Sequence, residues 1–352
     1  MAGRDRSAKA RILRAIATPV SWGYGGAMRL RNWKYSKGWG VRRLPRPVIS
    51  VGNVTTGGTG KTPVVRWLCE RLQTLGRRPG VLMRGYGAEA EKKGDEQAML
   101  EEMLAVGKEQ GTSVWANPNR YRGGMTALTE VPEIDTFVLD DGFQHRRLAR
   151  DFDLVLVDAT NPFGYGRVLP RGLLREPLTG LSRADALLIT RADQASVEAL
   201  AEIERTIRAH NTNAPIYRAA HVHSHVKTEG GLTLSLSALS GDAFVLAGIG
   251  NPESFLQQIA ARATRIAGHR FFPDHHAYTH ADAEEVLSAA RVAGADGIVT
   301  TDKDWVKLRH VLPPMAGRAM PVCRVELAIR FLEDGAEAAL VEQMTAAIDK
   351  HE

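Results

Sequence analysis

The sequence of 352 residues is poor in cysteine and lacks any long apolar segment. Its two cysteines, Cys69 and Cys323, belong neither to a CxxC pair nor to a Cys/His cluster, which argues against a zinc site and a disulfide framework. A reducing cytoplasm suits such a chain. No apolar run approaches the roughly 18 residues of a membrane span, so we expect no segment that crosses a bilayer and no secretory signal.

Acidic residues are nearly absent from the first 46 positions. This arm holds twelve Lys and Arg residues against one acid, Asp5, whereas the remaining chain holds 34 basic and 39 acidic residues. The formal charge of +6 therefore arises from the arm and not from the body of the protein. Because the body is not basic, we expect no nucleic-acid partner.

The same arm is rich in aromatic residues, which alternate with the basic ones at Trp22, Tyr24, Trp33, Tyr35 and Trp39. Basic residues interleaved with aromatic ones suit the interface of an anionic membrane. We interpret the arm as a peripheral segment that lies on lipid. Two alternatives stay open: a basic tail packed on the protein's own acidic body, and an arm that binds nucleic acid.

One glycine-rich motif follows an apolar strand at Pro47–Asn53 and precedes a helix predicted at Thr62–Leu75. Strand, glycine-rich loop and helix in this order indicate a P-loop, in which backbone N–H groups and the helix N-terminus bind phosphate. Lys61 is expected to reach the β- and γ-phosphates, and Thr62 to bind Mg²⁺. The usual motif begins with glycine where this chain has threonine. The predicted nucleotide-binding residues are Thr55, Thr56, Gly57, Gly58, Thr59, Gly60, Lys61 and Thr62.

Two adjacent carboxylates, Asp140 and Asp141, end the apolar strand predicted at 135–140. A P-loop enzyme needs an acid at this place to hold the Mg²⁺ shell. Successive side chains of a strand point to opposite faces, so one acid is expected to serve the metal and the other to orient Lys61, an arginine or the substrate. A solvated turn is the alternative. His145, in the run FQHRR, places a donor beside these carboxylates.

The body as a whole alternates short apolar strands with helical segments, which predicts an α/β fold. We predict a P-loop NTPase-like parallel sheet with helices on both faces, plus a second, smaller α/β lobe. The predicted divisions are the arm at 1–46, the P-loop domain at 47–218, the second lobe with a linker hairpin at 219–325 and a C-terminal helix at 326–352. Within the last division the helix is predicted to begin at Phe331.

Asp95 and the run FPDHH (272–276) each have two interpretations. Asp95 could accept the proton of an attacking hydroxyl, or it could cap the helix that it opens. The Asp–His pair of FPDHH could act as a base with its orienting group, or it could form a capping turn. The residues alone do not say which of His275 and His276 would face a site.

Three arginines, Arg84, Arg171 and Arg175, are candidates for contacts to phosphate or to an anionic substrate. Arginine binds such groups with two parallel hydrogen bonds, which makes it the usual choice at these sites. Surface salt bridges are the alternative for all three.

Taken together, these segments resemble the tetraacyldisaccharide 4'-kinase family of the lipid A pathway, whose members phosphorylate a disaccharide 1-phosphate with ATP. The resemblance spans nearly the whole chain, and the combination of DDGFQH with GGTGKTP is specific. The matching segments are VGNVTTGGTGKTP (51–63), RGYG (84–87), GDE (94–96), DDGFQHRRLARDFDLVLVDA (140–159), LPRGLLREP (169–177), FPDHH (272–276) and TTDKDWVKL (300–308).

The resemblance implies two α/β/α lobes joined by a two-stranded linker, with the active site in the cleft. It also implies ATP and Mg²⁺, a lipid A disaccharide 1-phosphate as substrate, no obligate protein partner, and peripheral attachment to the cytoplasmic face of the bacterial inner membrane. Asp95 matches the family's catalytic aspartate and His275 its helper histidine, alongside Lys61. The chain departs from the family at Leu173, often proline, and at Asp302, often glutamate.

Two rival functions remain. The run Ile189–Asp193 faintly resembles the guanine-reading NKxD motif, which would suit a P-loop GTPase or a metal-insertion chaperone. Against this rival, no DxxG follows the acidic strand, and the early lysine of a dimer-sensing P-loop is absent at Thr55 and Thr56. The second rival is a non-enzymatic, membrane-bound nucleotide sensor.

Overall fold

The chain forms two compact units in a computed structural model that describes residues 8–57, 59–85, 97, 100, 101, 104, 112–230, 232–235, 241–274, 276–314 and 320–351. The first unit comprises Met1–Gly87, Thr112–His221 and Ile329–Glu352. The second unit comprises Ala88–Gly111 and Val222–Ala328. The four divisions expected from the sequence stay predictions.

Strands and helices alternate along much of the chain. The strands are β1 (Val48–Asn53), β2 (Pro79–Met83), β3 (Val114–Ala116), β4 (Thr136–Asp140), β5 (Phe152–Asp158), β6 (Ala186–Thr190), β7 (Ile216–Thr228), β8 (Thr233–Ser235), β9 (Asp242–Ala247), β10 (Arg265–Phe271), β11 (Gly297–Thr301) and β12 (Val322–Phe331). The helices are α1 (Ala8–Ser36), α2 (Lys61–Thr74), α3 (Arg120–Glu130), α4 (Val197–Arg208), α5 (Pro252–Ala260), α6 (His280–Val292), α7 (Asp302–Leu308) and α8 (Ala336–Ile348).

The sheet of the first unit has the strand order β7-β6-β5-β1-β4-β2-β3, and all neighbouring strands are parallel. Its central strands β1, β5 and β6 are buried along their whole length, as a parallel sheet covered on both faces requires. Because the strands are parallel, the polar residues that follow β1 and β4 meet at one edge of the sheet. That edge carries the predicted P-loop and the acidic pair.

The C-terminal helix α8 belongs to the first unit, where it packs on β1 and β5. The predicted start of this helix at Phe331 is wrong by five residues. Phe331 is the last residue of β12, and its ring packs 5.2 Å from that of Trp67. The helix begins only after Gly335, whose φ of 75° lies in the left-handed region that glycine tolerates. Polar and apolar side chains alternate before Phe331, which suits a strand, and the packing of the Phe331 ring on Trp67 keeps this residue in the strand.

In the second unit the strands lie side by side in the order β10-β9-β11-β12, and each neighbouring pair is parallel. Helix α6 begins with a capping box formed by Thr279 and Asp282. The hairpin predicted near Gly230 is present as an antiparallel pair in which His225–Lys227 of β7 lie opposite Thr233–Ser235 of β8.

Helix α1 has two contrasting faces. Its buried positions are Ala17, Ser21, Gly25 and Met28, spaced three or four residues apart as one helix face requires. Its exposed apolar side chains are Ile16, Val20, Trp22, Leu30 and Trp33, each more than half exposed. Within the described ranges, no helix has both the length and the apolar character that crossing a membrane requires.

Candidate active site

The glycine-rich loop joins β1 to α2 and depends on glycine for its shape. Gly57 has φ of 116° and Gly60 has φ of 75°, conformations that other residues rarely adopt. A Cβ atom on Gly60 would lie 2.0 Å from Cε1 of His221, so the close approach of the imidazole also excludes a side chain there. Gly58 lies outside the described residues.

One buried hydroxyl of this loop fits a phosphate ligand. The backbone oxygen of Thr59 accepts a hydrogen bond of 3.1 Å from Thr190 Oγ1, which ties the loop to the end of β6. Oγ1 of Thr59 is buried and has no hydrogen-bond partner in the described part of the chain. A buried donor of this kind is costly unless a ligand or water satisfies it.

Lys61, in the first turn of α2, lies beside the acid that follows β4. Its Nζ is 3.4 Å from Oδ1 of Asp141 and 3.3 Å from Oδ1 of Asn53. On the other side of the carboxylate, the Arg175 guanidinium donates to both oxygens of Asp141, at 2.7 and 2.6 Å. Burial raises the pKa of Asp141, but the charges of Lys61 and Arg175 outweigh it and hold that pKa below the usual value. The carboxylate is therefore ionised between two cations.

The backbone separates the two predicted metal-binding acids. Asp140 is the half-buried last residue of β4, and Asp141 has φ of 52°, in the left-handed region. Asp141 is the acid that contacts Lys61 and Arg175. Among the described residues, no three His, Cys, Asp or Glu side chains cluster as metal ligands. Mg²⁺ that arrives with nucleotide needs only one or two carboxylates besides the phosphates, so Thr62 with one of these acids fits such an ion.

A cavity of about 660 Å³ opens beside this edge of the first unit. It is strongly cationic, because arginines dominate its described lining and Asp141 is the one acid among these residues. Residues of α1 form part of its wall. The lining residues are Tyr24, Met28, Arg31, Tyr35, Thr56, Arg84, Pro118, Arg120, Asp141, Gln144, His145, Arg146, Arg147, Leu169 and Arg175.

Burial and nearby positive charge lower the pKa of two basic groups that line the cavity. Burial and the charges of Arg120 and Arg150 lower the pKa of His145 to about 4, so this imidazole is neutral at pH 7. Burial and the charge of Arg183 lower the pKa of Arg146 to about 10. Crowded positive charge of this kind is relieved by an anion, and the cavity is therefore suited to a negatively charged ligand.

The segment 168–175 connects the cavity to both the P-loop and α1. The Thr56 N–H donates to the Leu173 carbonyl at 2.7 Å, and the Arg175 N–H donates to the Val54 carbonyl at 2.8 Å. The two predicted arginines of this segment have different surroundings. Arg175 contacts Asp141, whereas Arg171 Nη1 donates to Oγ1 of Thr18 on α1 at 2.9 Å.

Other predicted residues are only partly placed. Arg84 and His145 line the cavity, together with Thr56 and Arg175. Asp95 and His275 lie outside the described residues. In the second unit, His276 Nε2 is 3.1 Å from Oδ2 of Asp282, and its ring stacks on Phe272 at 4.6 Å. This histidine is therefore engaged with the start of α6.

Sequence reasoning missed several cavity residues. Arg146 and Arg147 stand in the FQHRR run whose donors the sequence did indicate. Arg120 follows a turn after β3 that carried no recognised motif, and Arg31 lies in an arm interpreted only as a membrane contact. An arginine four residues after a short strand has no distinctive spacing, so no local signal could have identified Arg120.

Comparisons with known proteins identify a family that the chain matches along most of its length. Residues 13–346 match the sequence model of the family described as LpxK, tetraacyldisaccharide-1-P 4'-kinase. The chain is 38% identical over 344 residues to the tetraacyldisaccharide 4'-kinase of Anaeromyxobacter sp. strain K, covering 92% of this chain and 89% of that one. It is 37% identical over 354 residues to the enzyme of that name from Geobacter sulfurreducens, covering 96% of each.

Among solved structures, the fold is similar to the "apo" form of LpxK from Aquifex aeolicus, crystallised in complex with ATP. The TM-score is 0.73 at 28% sequence identity, and the match covers 96% of this chain and 99% of that one. The predicted α/β P-loop fold and the family resemblance are both confirmed. The chain belongs to the tetraacyldisaccharide-1-P 4'-kinase family.

Proposed function

We propose that this protein transfers the γ-phosphate of ATP to the 4'-hydroxyl of a tetraacyldisaccharide 1-phosphate at the inner face of a bacterial inner membrane. The observation that carries the proposal is the cationic cavity that begins at Thr56 and Asp141 of the P-loop edge. This cavity adjoins the glycine-rich loop within the first unit, and its arginines suit an anionic acceptor, which supports a site for donor and acceptor together. A nucleotide sensor or switch protein needs the loop but has no use for such a pocket.

The P-loop is suited to the triphosphate of ATP. Backbone N–H groups around Gly57 and Gly60 and the N-terminus of α2 favour phosphate oxygens, and Lys61 supplies a mobile positive charge. Thr62 with Asp140 or Asp141 would hold Mg²⁺, which when bound would neutralise charge on the β- and γ-phosphates.

The cavity is suited to the acceptor. Arginine binds phosphate with two parallel hydrogen bonds, and Arg84 and Arg147 are exposed enough to reach a ligand. His145 is neutral at pH 7, so it can donate or accept a hydrogen bond at a sugar hydroxyl. A sugar that carries a 1-phosphate combines both kinds of contact.

The exposed face of α1 supports attachment to a membrane surface. Trp22 and Trp33 are 71% and 51% exposed, and Leu30 is 66% exposed between them. Large aromatic side chains on an amphipathic helix with nearby lysine and arginine favour the interface of an anionic bilayer. We infer that α1 lies in the membrane surface with this face toward the lipid.

Phosphate transfer then depends mainly on position and charge. Lys61 and Arg175 bracket Asp141 and can shift toward phosphate oxygens as negative charge develops there. Asp95, assisted by His275, remains the predicted acceptor of the proton of the sugar hydroxyl.

The decisive test is an assay with radiolabelled ATP, Mg²⁺ and lipid A disaccharide 1-phosphate in mixed micelles. We expect a labelled bisphosphate, and much less product from an acceptor without its 1-phosphate, because the cavity arginines lose their ligand. Arg84→Gln and Arg147→Gln should each raise the KM for the phosphorylated acceptor by about tenfold, the usual effect of losing one charged hydrogen bond.

Arg43→Gln is the matched control, since Arg43 pairs with Asp151 and does not line the cavity. It should leave the KM unchanged. ATP hydrolysis without any labelled lipid would refute the proposal.

A further inference from the structure

The buried face of α1 is joined to the phosphate-binding edge by a chain of hydrogen bonds and ion pairs. The hydroxyl of Tyr24 donates to the backbone carbonyl of Arg175 at 2.7 Å. The Arg175 guanidinium holds both oxygens of Asp141, and Asp141 lies 3.4 Å from Lys61 Nζ. Three contacts therefore connect a helix with an exposed apolar face to the lysine of the P-loop.

A second route starts about two helical turns further along α1, at Asn32. Its Nδ2 donates to Oε2 of Glu176 at 2.8 Å. Oε1 of Glu176 accepts from Gln144 Nε2 at 2.9 Å, and the same amide donates to the Asn53 carbonyl at 2.8 Å. The side chain of Asn53 accepts from Lys61 at 3.3 Å. Both routes end on the same ammonium group.

Glu176 makes the second route rigid, because its carboxylate is completely buried. The guanidinium of Arg183 donates to both of its oxygens, at 3.0 and 2.9 Å. A buried carboxylate keeps its position only while its hydrogen-bond donors stay in place. Removing one of these donors costs more free energy than losing a hydrogen bond at the surface. One of these donors is a side chain of α1.

We propose that Tyr24 and Asn32 are positioning residues for phosphate transfer, so that the docked α1 holds Arg175, Asp141 and Lys61 in their working arrangement. This inference rests on the proposed kinase function. It gives α1 a second task beside contact with lipid: its outer face would bind the membrane, while its inner face orients the cations that meet the γ-phosphate. An enzyme whose α1 is displaced would still fold and bind nucleotide but transfer phosphate slowly.

Tyr24→Phe tests the inference by removing one hydroxyl and little else. We expect kcat to fall about tenfold, because Arg175 is held less firmly once this hydrogen bond is lost. The value of kcat/KM should fall by the same factor. The melting temperature and binding to anionic phospholipid vesicles should stay the same, because the phenylalanine ring fills the same space and the exposed face of α1 is unchanged. An increase in the KM for the acceptor alone would identify Tyr24 as a substrate contact and overturn the inference.

A double-mutant cycle with Arg175→Lys separates positioning from a general loss of activity. If Tyr24 acts through Arg175, the double variant should be no slower than Arg175→Lys by itself, because residues in one network are not additive. Additive losses would contradict the proposal.

Two controls complete the test. Tyr217→Phe removes a tyrosine hydroxyl that lies 3.5 Å from Gln343, outside this network, and should keep wild-type kcat. Trp22→Ala alters the exposed face of α1 and should weaken vesicle binding, the property that Tyr24→Phe should leave unchanged. If wild-type protein forms no labelled bisphosphate, the proposed function fails; if it is active and Tyr24→Phe is equally active, only this inference fails.

Discussion

Two acids that follow parallel strands, Asp141 after β4 and Asp304 after β11, have opposite surroundings. Asp141 is balanced by two long cationic side chains beside an open cavity. Asp304 is 3% exposed, and fixed donors satisfy it: the Gly248 N–H at 2.9 Å, the Thr301 hydroxyl at 2.7 Å and the Tyr278 hydroxyl at 3.0 Å. Burial and the neighbouring Asp304 raise the pKa of Tyr278, so its phenol stays protonated as a donor.

The difference shows how two acids at similar places after a strand come to have different roles. A carboxylate that is buried and held by backbone and hydroxyl donors stabilises the fold and is out of reach of a ligand. A carboxylate held by lysine and arginine can give up those cations to an incoming phosphate and bind a metal ion instead, since both cationic side chains are long and flexible. Substitutions on each side of the comparison should therefore affect different properties.

The largest expected effect is on catalysis, at the first of these acids. Lys61→Ala should lower kcat at least about a hundredfold, because the γ-phosphate loses its main protein cation. The melting temperature should change little, since Asp141 keeps its two hydrogen bonds to Arg175. Steady-state kinetics and thermal unfolding of the same preparation measure both properties. Turnover near that of the wild type would remove Lys61 from the mechanism.

The second effect is on stability, at the other acid. Asp304→Ala should lower the free energy of unfolding by about 3 kcal/mol, because the Gly248 N–H and the Tyr278 hydroxyl are left buried without an acceptor. Urea titration followed by circular dichroism measures this loss. Asp274→Ala is the matched control: Asp274 forms an exposed pair with Lys303 at 2.6 Å, and such pairs contribute less than about 1 kcal/mol. Equal losses in both variants would break the comparison.

The smallest effect concerns pH and the cavity beside Asp141. The pKa of His145 is about 4 in the fold, below its ordinary value of 6.5. As the pH falls between these values, the unfolded chain binds a proton that the folded chain does not, so stability is lost. His145→Gln should remove this contribution to the pH dependence of stability. The free energy of unfolding of the variant, relative to that of the wild type, should therefore increase from pH 8 to pH 5. If the stabilities of the variant and the wild type changed in parallel across that pH range, the lowered pKa of His145 would be contradicted.

The sequence predicted the P-loop edge well because its signals are local. β1, the glycine-rich loop and α2 are contiguous, and the helix begins within one residue of its predicted start. The acidic end of β4 was equally visible, since an apolar run that ends in two carboxylates is unusual. Strand order then brings the two segments together, because β1 and β4 are parallel neighbours.

The network around Glu176 could not be predicted in the same way. Its members are far apart in the chain, as the separation of 144 positions between Asn32 and Glu176 illustrates. Each residue alone is an ordinary asparagine, glutamate or glutamine. The start of α8 was also misjudged, since a helical pattern and a strand pattern overlap near Phe331 and only packing against Trp67 decides between them.

The position of α8 has a consequence for synthesis of the protein. Trp67 Nε1 donates to Glu337 Oε1 at 2.8 Å, and α8 covers β1 and β5, yet α8 leaves the ribosome after every strand of the first unit's sheet. Domains tend to fold as they emerge from the ribosome. Residues 222–328 are complete before α8 exists, so the second unit can fold first. The first unit, although it starts earlier, must wait for α8 to cover β1 and β5 before its core is closed.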